Sequence, residues 1–95
     1  MSEEGTAKPT VFIDNHKVRV TEWRFEKGAN TGWHTHGMDY VVVPLMDGKL
    51  RLETPDGPAE GEMKKGVPYF REAGVEHDVI NANDGEYAFI EIELK

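Results

Sequence analysis

Three histidines carry the chemistry open to this chain. His34 and His36 stand two residues apart, and His77 follows 41 residues after His36. Side chains on a β-strand alternate between faces, so a His-x-His pair on a strand presents both imidazoles on one side. Neutral imidazole is a good ligand for Zn, Fe, Ni and Cu. Two imidazoles on one face make half a metal site. A third arriving from another strand completes a three-ligand set with coordination positions left open. The remaining histidine, His16, sits beside the turn-forming pair Asp14-Asn15 and reads as a surface residue.

The elements that must bring these residues together read as strands. Residues 1–9 read as a flexible N-terminal lead and 10–95 as one barrel. Strands are predicted over Thr10–Ile13 and Lys17–Phe25, with a slip of apolar phase near Thr21 that implies either a bulge or burial on both faces. Further strands are predicted over Trp33–His36, Tyr40–Met46 with a break or bend at Gly37, Lys49–Thr54, Ala59–Met63, Pro68–Arg71 and Val75–Ala82. Asp47-Gly48, Pro55-Asp56-Gly57-Pro58 and Asn83-Asp84-Gly85 are turn signals between them. In the last strand, Glu86–Leu94, Ala88, Ile90, Ile92 and Leu94 fall on one face and Glu91 and Glu93 on the other. That pattern reads as an apolar core face and a solvated acidic face, with one acid available to orient an imidazole. No segment holds a helical period. Short strands with turns roughly every ten residues are the signature of an all-β sandwich or barrel.

Composition narrows the functions. The 95 residues suit one domain with a thin core. Net charge is −7, which repels phosphate backbones and anionic lipid, so neither nucleic acid nor membrane is an expected partner. The chain has no cysteine, which excludes disulfides, thiolate ligands and cysteine nucleophiles. Its start lacks the basic and apolar run of a signal peptide, and a cytoplasmic protein is expected.

The stretch Gly28-Ala29-Asn30-Thr31-Gly32-Trp33-His34-Thr35-His36 resembles the first cupin motif: Gly, five residues, His, one residue, His. Gly48 fits the Gly that closes it. Gly66, Gly74, His77 and Asn81 fall at the spacings of the second motif, with Glu72 in place of its Pro. The resemblance covers Gly28 to Asn81, and Trp33 to Gly48 further resembles small cupins connected with β-alanine degradation. It implies a cupin double-stranded β-helix, a jelly-roll barrel of one domain. It also implies His34, His36 and His77 as ligands of one divalent transition metal, with Fe, Ni, Zn, Mn and Cu not distinguished. The family's ligand Glu falls here on Tyr40, or on Val41 at the longer spacing, and neither is a carboxylate. Asp39 is a candidate replacement, although alternation turns it from the His36 face unless Gly37 introduces a bend. Tyr40 and Met38 are the candidate substrate-pocket residues, each with a core role as the alternative. Trp23 and Trp33 read as packing residues, and Arg71 and Glu72 as solvated.

These readings lead to a mononuclear three-His metalloenzyme of dioxygenase or lyase type, acting on a small organic substrate. A non-catalytic cupin that holds a small ligand or a metal is the alternative. A sugar isomerase or epimerase is weaker, because the acid ligand and a basic phosphate cluster are both missing. The edge strand Thr10–Ile13 is short and apolar and suits addition to a second copy, so a homodimer is expected.

Overall fold

The computed structural model describes residues 5–95 and contains nine strands and no helix among them. In chain order they are β1 (Lys8–Asp14), β2 (Val18–Phe25), β3 (His34–Thr35), β4 (Asp39–Pro44), β5 (Gly48–Thr54), β6 (Gly57–Met63), β7 (Tyr69–Arg71), β8 (Glu76–Asn81) and β9 (Tyr87–Leu94). They form two antiparallel sheets. One has five strands in the order β1-β2-β9-β4-β7, and the other four in the order β3-β8-β5-β6. Of the expected N-terminal lead, residues 1–4 lie outside the described residues. Ala7 is buried and β1 begins at Lys8.

The core lies between the sheets. Phe25, Tyr40, Val42, Phe89 and Tyr87 come from the larger sheet, and Leu50, Met63 and Val79 from the smaller. The phase slip in β2 resolves on inspection of its partners. Its register with β9 is unbroken from Val18 to Phe25. Thr21, Trp23 and Phe25 face inward while Val18 and Val20 pack on the outer face. The bulge sits in β1, where the register shifts between Val11 and Ile13 opposite Thr21 and Val20.

The last strand inverts its sequence pattern. Tyr87, Phe89 and Glu91 are the buried inward set, and Ile90, Ile92 and Leu94 lie on the outer face. Glu91 is therefore not on a solvated face, since only 8% of it is exposed. The physical reason is volume. Two large aromatic rings share a face with the acids, and burying them outweighs burial of three aliphatic side chains that remain half-covered on the other face.

The glycines of the two motif-like stretches are structural. A Cβ on Gly48 would stand 2.6 Å from Asn83 Oδ1 and 2.8 Å from the Tyr87 ring. Gly74 has φ +99°, which L side chains rarely adopt, and its N–H donates to the His36 carbonyl at 2.8 Å.

Candidate metal centre

The two motif-like stretches meet as direct strand partners. β3 pairs with β8 so that His34 lies opposite His77 and Thr35 opposite Glu76. The loop before β3 is tied to β8 along its length. Thr31 N–H donates to Val79 O, Asn81 N–H donates to Ala29 O, and Asp78 accepts from Gly32 N–H at 3.0 Å and from the Asn30 amide. Asp78 thus clamps the loop that carries His34 into place beside His77. His36 lies just past β3, where its N–H donates to Val75 O before the chain turns at Gly37 into β4.

The imidazoles converge through one kind of nitrogen. His34 Nε2 and His36 Nε2 are 3.1 Å apart, and His36 Nε2 and His77 Nε2 are also 3.1 Å apart. The rings stand nearly perpendicular, at 72° to 90°. Nitrogens about 2.1 Å from a common ion stand about 3.0 Å apart when the bonds are at right angles, so the spacing suits a shared cation. His34 Nδ1 donates to the Gly32 carbonyl at 2.8 Å, which leaves its Nε2 lone pair directed at the cluster. Burial, reinforced by His34 and His77, holds His36 down to about 4 from 6.5. Burial, then His34, holds His77 down to about 4. Both are neutral near pH 7 and have lone pairs to give.

Two cavities meet at this cluster. The inner one is about 180 Å³ and mainly apolar, lined by Trp23, Val42, Leu50, Met63 and Phe89 together with His34 and His77. The outer one is about 390 Å³ and is lined by Val11, Thr21, His34, His36, Glu91 and Glu93. Tyr40 lines the inner cavity and stacks on His36, with ring centroids 3.9 Å apart and planes at 20°. Burial raises its hydroxyl pKa, so the phenol stays protonated. Met38 is half-buried and lines neither cavity. Asp39 is exposed and accepts from Ala73 N–H at 2.8 Å, so it joins a turn rather than the cluster.

Sequence reasoning misplaced several neighbours of the site. Arg71 is exposed, as read, but it also lines the rim of the inner cavity, with its guanidinium 4.4 Å over the Tyr69 ring. Trp23 does more than pack: its indole N–H donates to Glu91 Oε1 at 3.3 Å. Trp33 is half exposed and donates to Glu76. Glu91 enters the site from β9, with Oε2 3.8 Å from His36 Nε2. Burial pushes its carboxyl up to about 7 from 4.5, Glu93 adds to the rise, and the Trp23 N–H opposes it. The signal that identifies Glu91 is the pair Tyr87 and Phe89 at the same parity, which marks that face as the buried one.

A small two-sheet barrel holding a His-x-His pair and a third histidine within ligand distance defines a class, the single-domain cupin with a three-histidine cluster able to hold a metal. The chain belongs to the cupin family. No family model matches it. It is 58% identical over 95 residues to "Beta-alanine degradation protein BauB" of Pseudomonas aeruginosa, covering 100% of both chains. It is 55% identical to a cupin domain from Bordetella pertussis Tohama I, whose crystal structure it matches with a TM-score of 0.97 over 100% of this chain and 99% of that one. A cupin superfamily protein from Desulfitobacterium hafniense DCB-2 shares 14% identity over 99% of this chain and 82% of that one, at a TM-score of 0.74, and shows the fold alone.

Proposed function

We propose that this cupin is a mononuclear metalloenzyme of dioxygenase or lyase type, with His34, His36 and His77 holding the metal. The observation that carries the reading is the convergence of three Nε2 atoms, with His36 Nε2 3.1 Å from each of the other two, beside a cavity sized for a small molecule. A bound divalent transition metal would supply Lewis-acid or O₂ chemistry at its open positions. The three imidazole donors suit Zn, Fe, Ni and Cu, and they do not by themselves distinguish these from Mn. The chain's own groups do the rest. Gly32 O sets the His34 tautomer, Tyr40 supports the His36 ring, and the apolar wall from Leu50 to Phe89 keeps water from a small organic substrate. Identity along the whole chain to the β-alanine degradation protein of Pseudomonas aeruginosa supports a substrate among the intermediates of β-alanine degradation.

The working protein is proposed to be a cytoplasmic homodimer. A row of apolar residues crosses the outer face of the larger sheet, Ile13-Val20-Ile92-Val41-Phe70, one from each strand. It suits pairing with a second copy better than the expected edge addition by β1, because it spans the whole sheet.

Elemental analysis of protein purified from its native host tests the centre. One transition metal per chain is expected, lost in His77→Ala. Stoichiometric metal retained in that variant would overturn the three-His site. The presence of Tyr40 where the family places a carboxylate favours a second reading, a non-catalytic binding module. Tight binding of β-alanine-derived compounds without turnover or O₂ consumption would select it.

A further inference from the structure

The inner cavity is apolar over most of its wall, and Arg71 is the one Lys or Arg among the residues that line it. Strand alternation puts the side chain there. β7 pairs with β4 so that Tyr69 lies opposite Val42 and Arg71 opposite Tyr40, and both β4 residues are core positions. Tyr69 and Arg71 therefore face the barrel, while Phe70 between them joins the outer row. The guanidinium is held in place. It lies 4.4 Å over the Tyr69 ring, and its Nη1 donates to the Phe70 carbonyl at 2.9 Å. It makes no ion pair with any described residue, whereas Arg19, Arg24 and Arg51 each do. Its remaining N–H groups form a positioned fork of the kind that takes a carboxylate through two parallel bonds.

We infer that Arg71 anchors the carboxylate of a short-chain acid at the rim of this cavity, with the rest of the acid lying along the apolar wall toward His34 and His77. The inference deepens the small-substrate reading above and rests on it. A cavity of about 180 Å³ walled by Leu50, Met63 and Phe89 accepts a few methylene groups, and it offers an anion no second Lys or Arg. Two carboxylates also line it, and each is held by an indole. Glu76 Oε2 accepts from Trp33 at 2.8 Å, and Glu91 Oε1 accepts from Trp23 at 3.3 Å. They repel an anion from their own positions and leave the Arg71 rim as the place where one is stabilised. A terminal carboxylate is also the group shared by β-alanine and by compounds altered only at its amino end. With the acid end fixed at Arg71, the opposite end is the part presented to the histidines. The anchor thereby selects which end of the molecule meets the metal centre.

The test titrates the full chain, as purified, with propionate and with its neutral isostere propionamide, followed by NMR. Wild type is expected to bind propionate about tenfold or more tightly than propionamide, the value of one charge-assisted pair. Arg71→Gln is expected to lose that preference while binding propionamide as before, and Arg71→Lys to keep part of it. Arg19→Gln, at the outer cavity, should match wild type. Equal affinity for acid and amide in wild type, or the preference surviving intact in Arg71→Gln, would overturn the anchor. So would a preference lost in Arg19→Gln instead. His77→Ala separates this from the metal centre. A preference kept there supports Arg71, and one lost there but kept in Arg71→Gln would place the carboxylate on the metal. The metal content of the same His77→Ala protein judges the three-His site independently.

Discussion

His34 shows how a single side chain is prepared for its role. Its Nδ1 is committed to the Gly32 carbonyl, so only Nε2 is free, and Gly32 is itself held by Asp78. His36 and His77 are kept neutral by burial, and that has a consequence for stability in the metal-free protein. Both have folded pKa values near 4 against 6.5 for an ordinary His, so between those values the unfolded chain binds more protons. Stability is then complete above about pH 6.5 and falls as pH drops toward 4. Glu91 acts in the opposite direction. Its folded pKa near 7 exceeds the ordinary 4.5, so the folded chain holds the extra proton, and stability falls as pH rises from 4.5 to 7. Urea midpoints of metal-free protein between pH 4 and 7.5 check both. Wild type is expected to lose stability on acidification, and Glu91→Gln to lose it more steeply while gaining relative to wild type at pH 7. A Gln variant that tracks wild type throughout would contradict the burial of Glu91 as an unpaired acid.

At the scale of elements, the site depends on turns that hold strand ends close together. Gly48 opens β5 where the Asn83 and Tyr87 side chains press against it. Asn83 cannot move aside freely, because it accepts Lys49 N–H and donates to Lys49 O. Tyr87 is fully buried and donates its hydroxyl to Met46 O. Gly48→Ala is expected to cost about 1–3 kcal/mol by overpacking, read as a lowered chemical-denaturation midpoint. A variant as stable as wild type would show that the turn relaxes. Asn81 is held similarly, donating to Glu26 O and Gly85 O, so its place in the second motif is structural. Most strands were legible from turn residues and alternation. β3 lies within the strand read over Trp33–His36, but it is only two residues long and is held by its pairing with β8. The facing of β9 was hidden. Alternation shows that a strand has two unlike faces, but not which of them turns inward.

At the scale of the whole molecule, the outer face of the larger sheet carries an open apolar row. Ile13, Phe70 and Leu94 are each 40–50% exposed there, with Val20, Val41 and Ile92 between them. Glu22 and Arg24 share this face but pair with each other at 2.8 Å, so the proposed pairing does not bring a lone charge from this ion pair into contact. Light scattering is expected to give a dimer for wild type and a monomer for Ile92→Lys, which places a charge in the centre of the row. A monomeric wild type would refute the pairing. The two cavities meet at the cluster inside the barrel, away from this face, so the metal centre is expected to survive in the monomer.

The sequence by itself determined the all-β class, the turn positions and the three histidines, because these follow from local periodicity, special backbone conformations and residue type. It also located the departure at Tyr40, since a motif position is a matter of spacing. Only the tertiary structure decided that Glu91 stands inside rather than in solvent, that Asp39 caps a turn, and that Met38 lines neither cavity. The reason is physical: which face of a strand is buried depends on the sheet that packs against it. Here the rings of Tyr87 and Phe89 faced the second sheet and carried Glu91 inward with them.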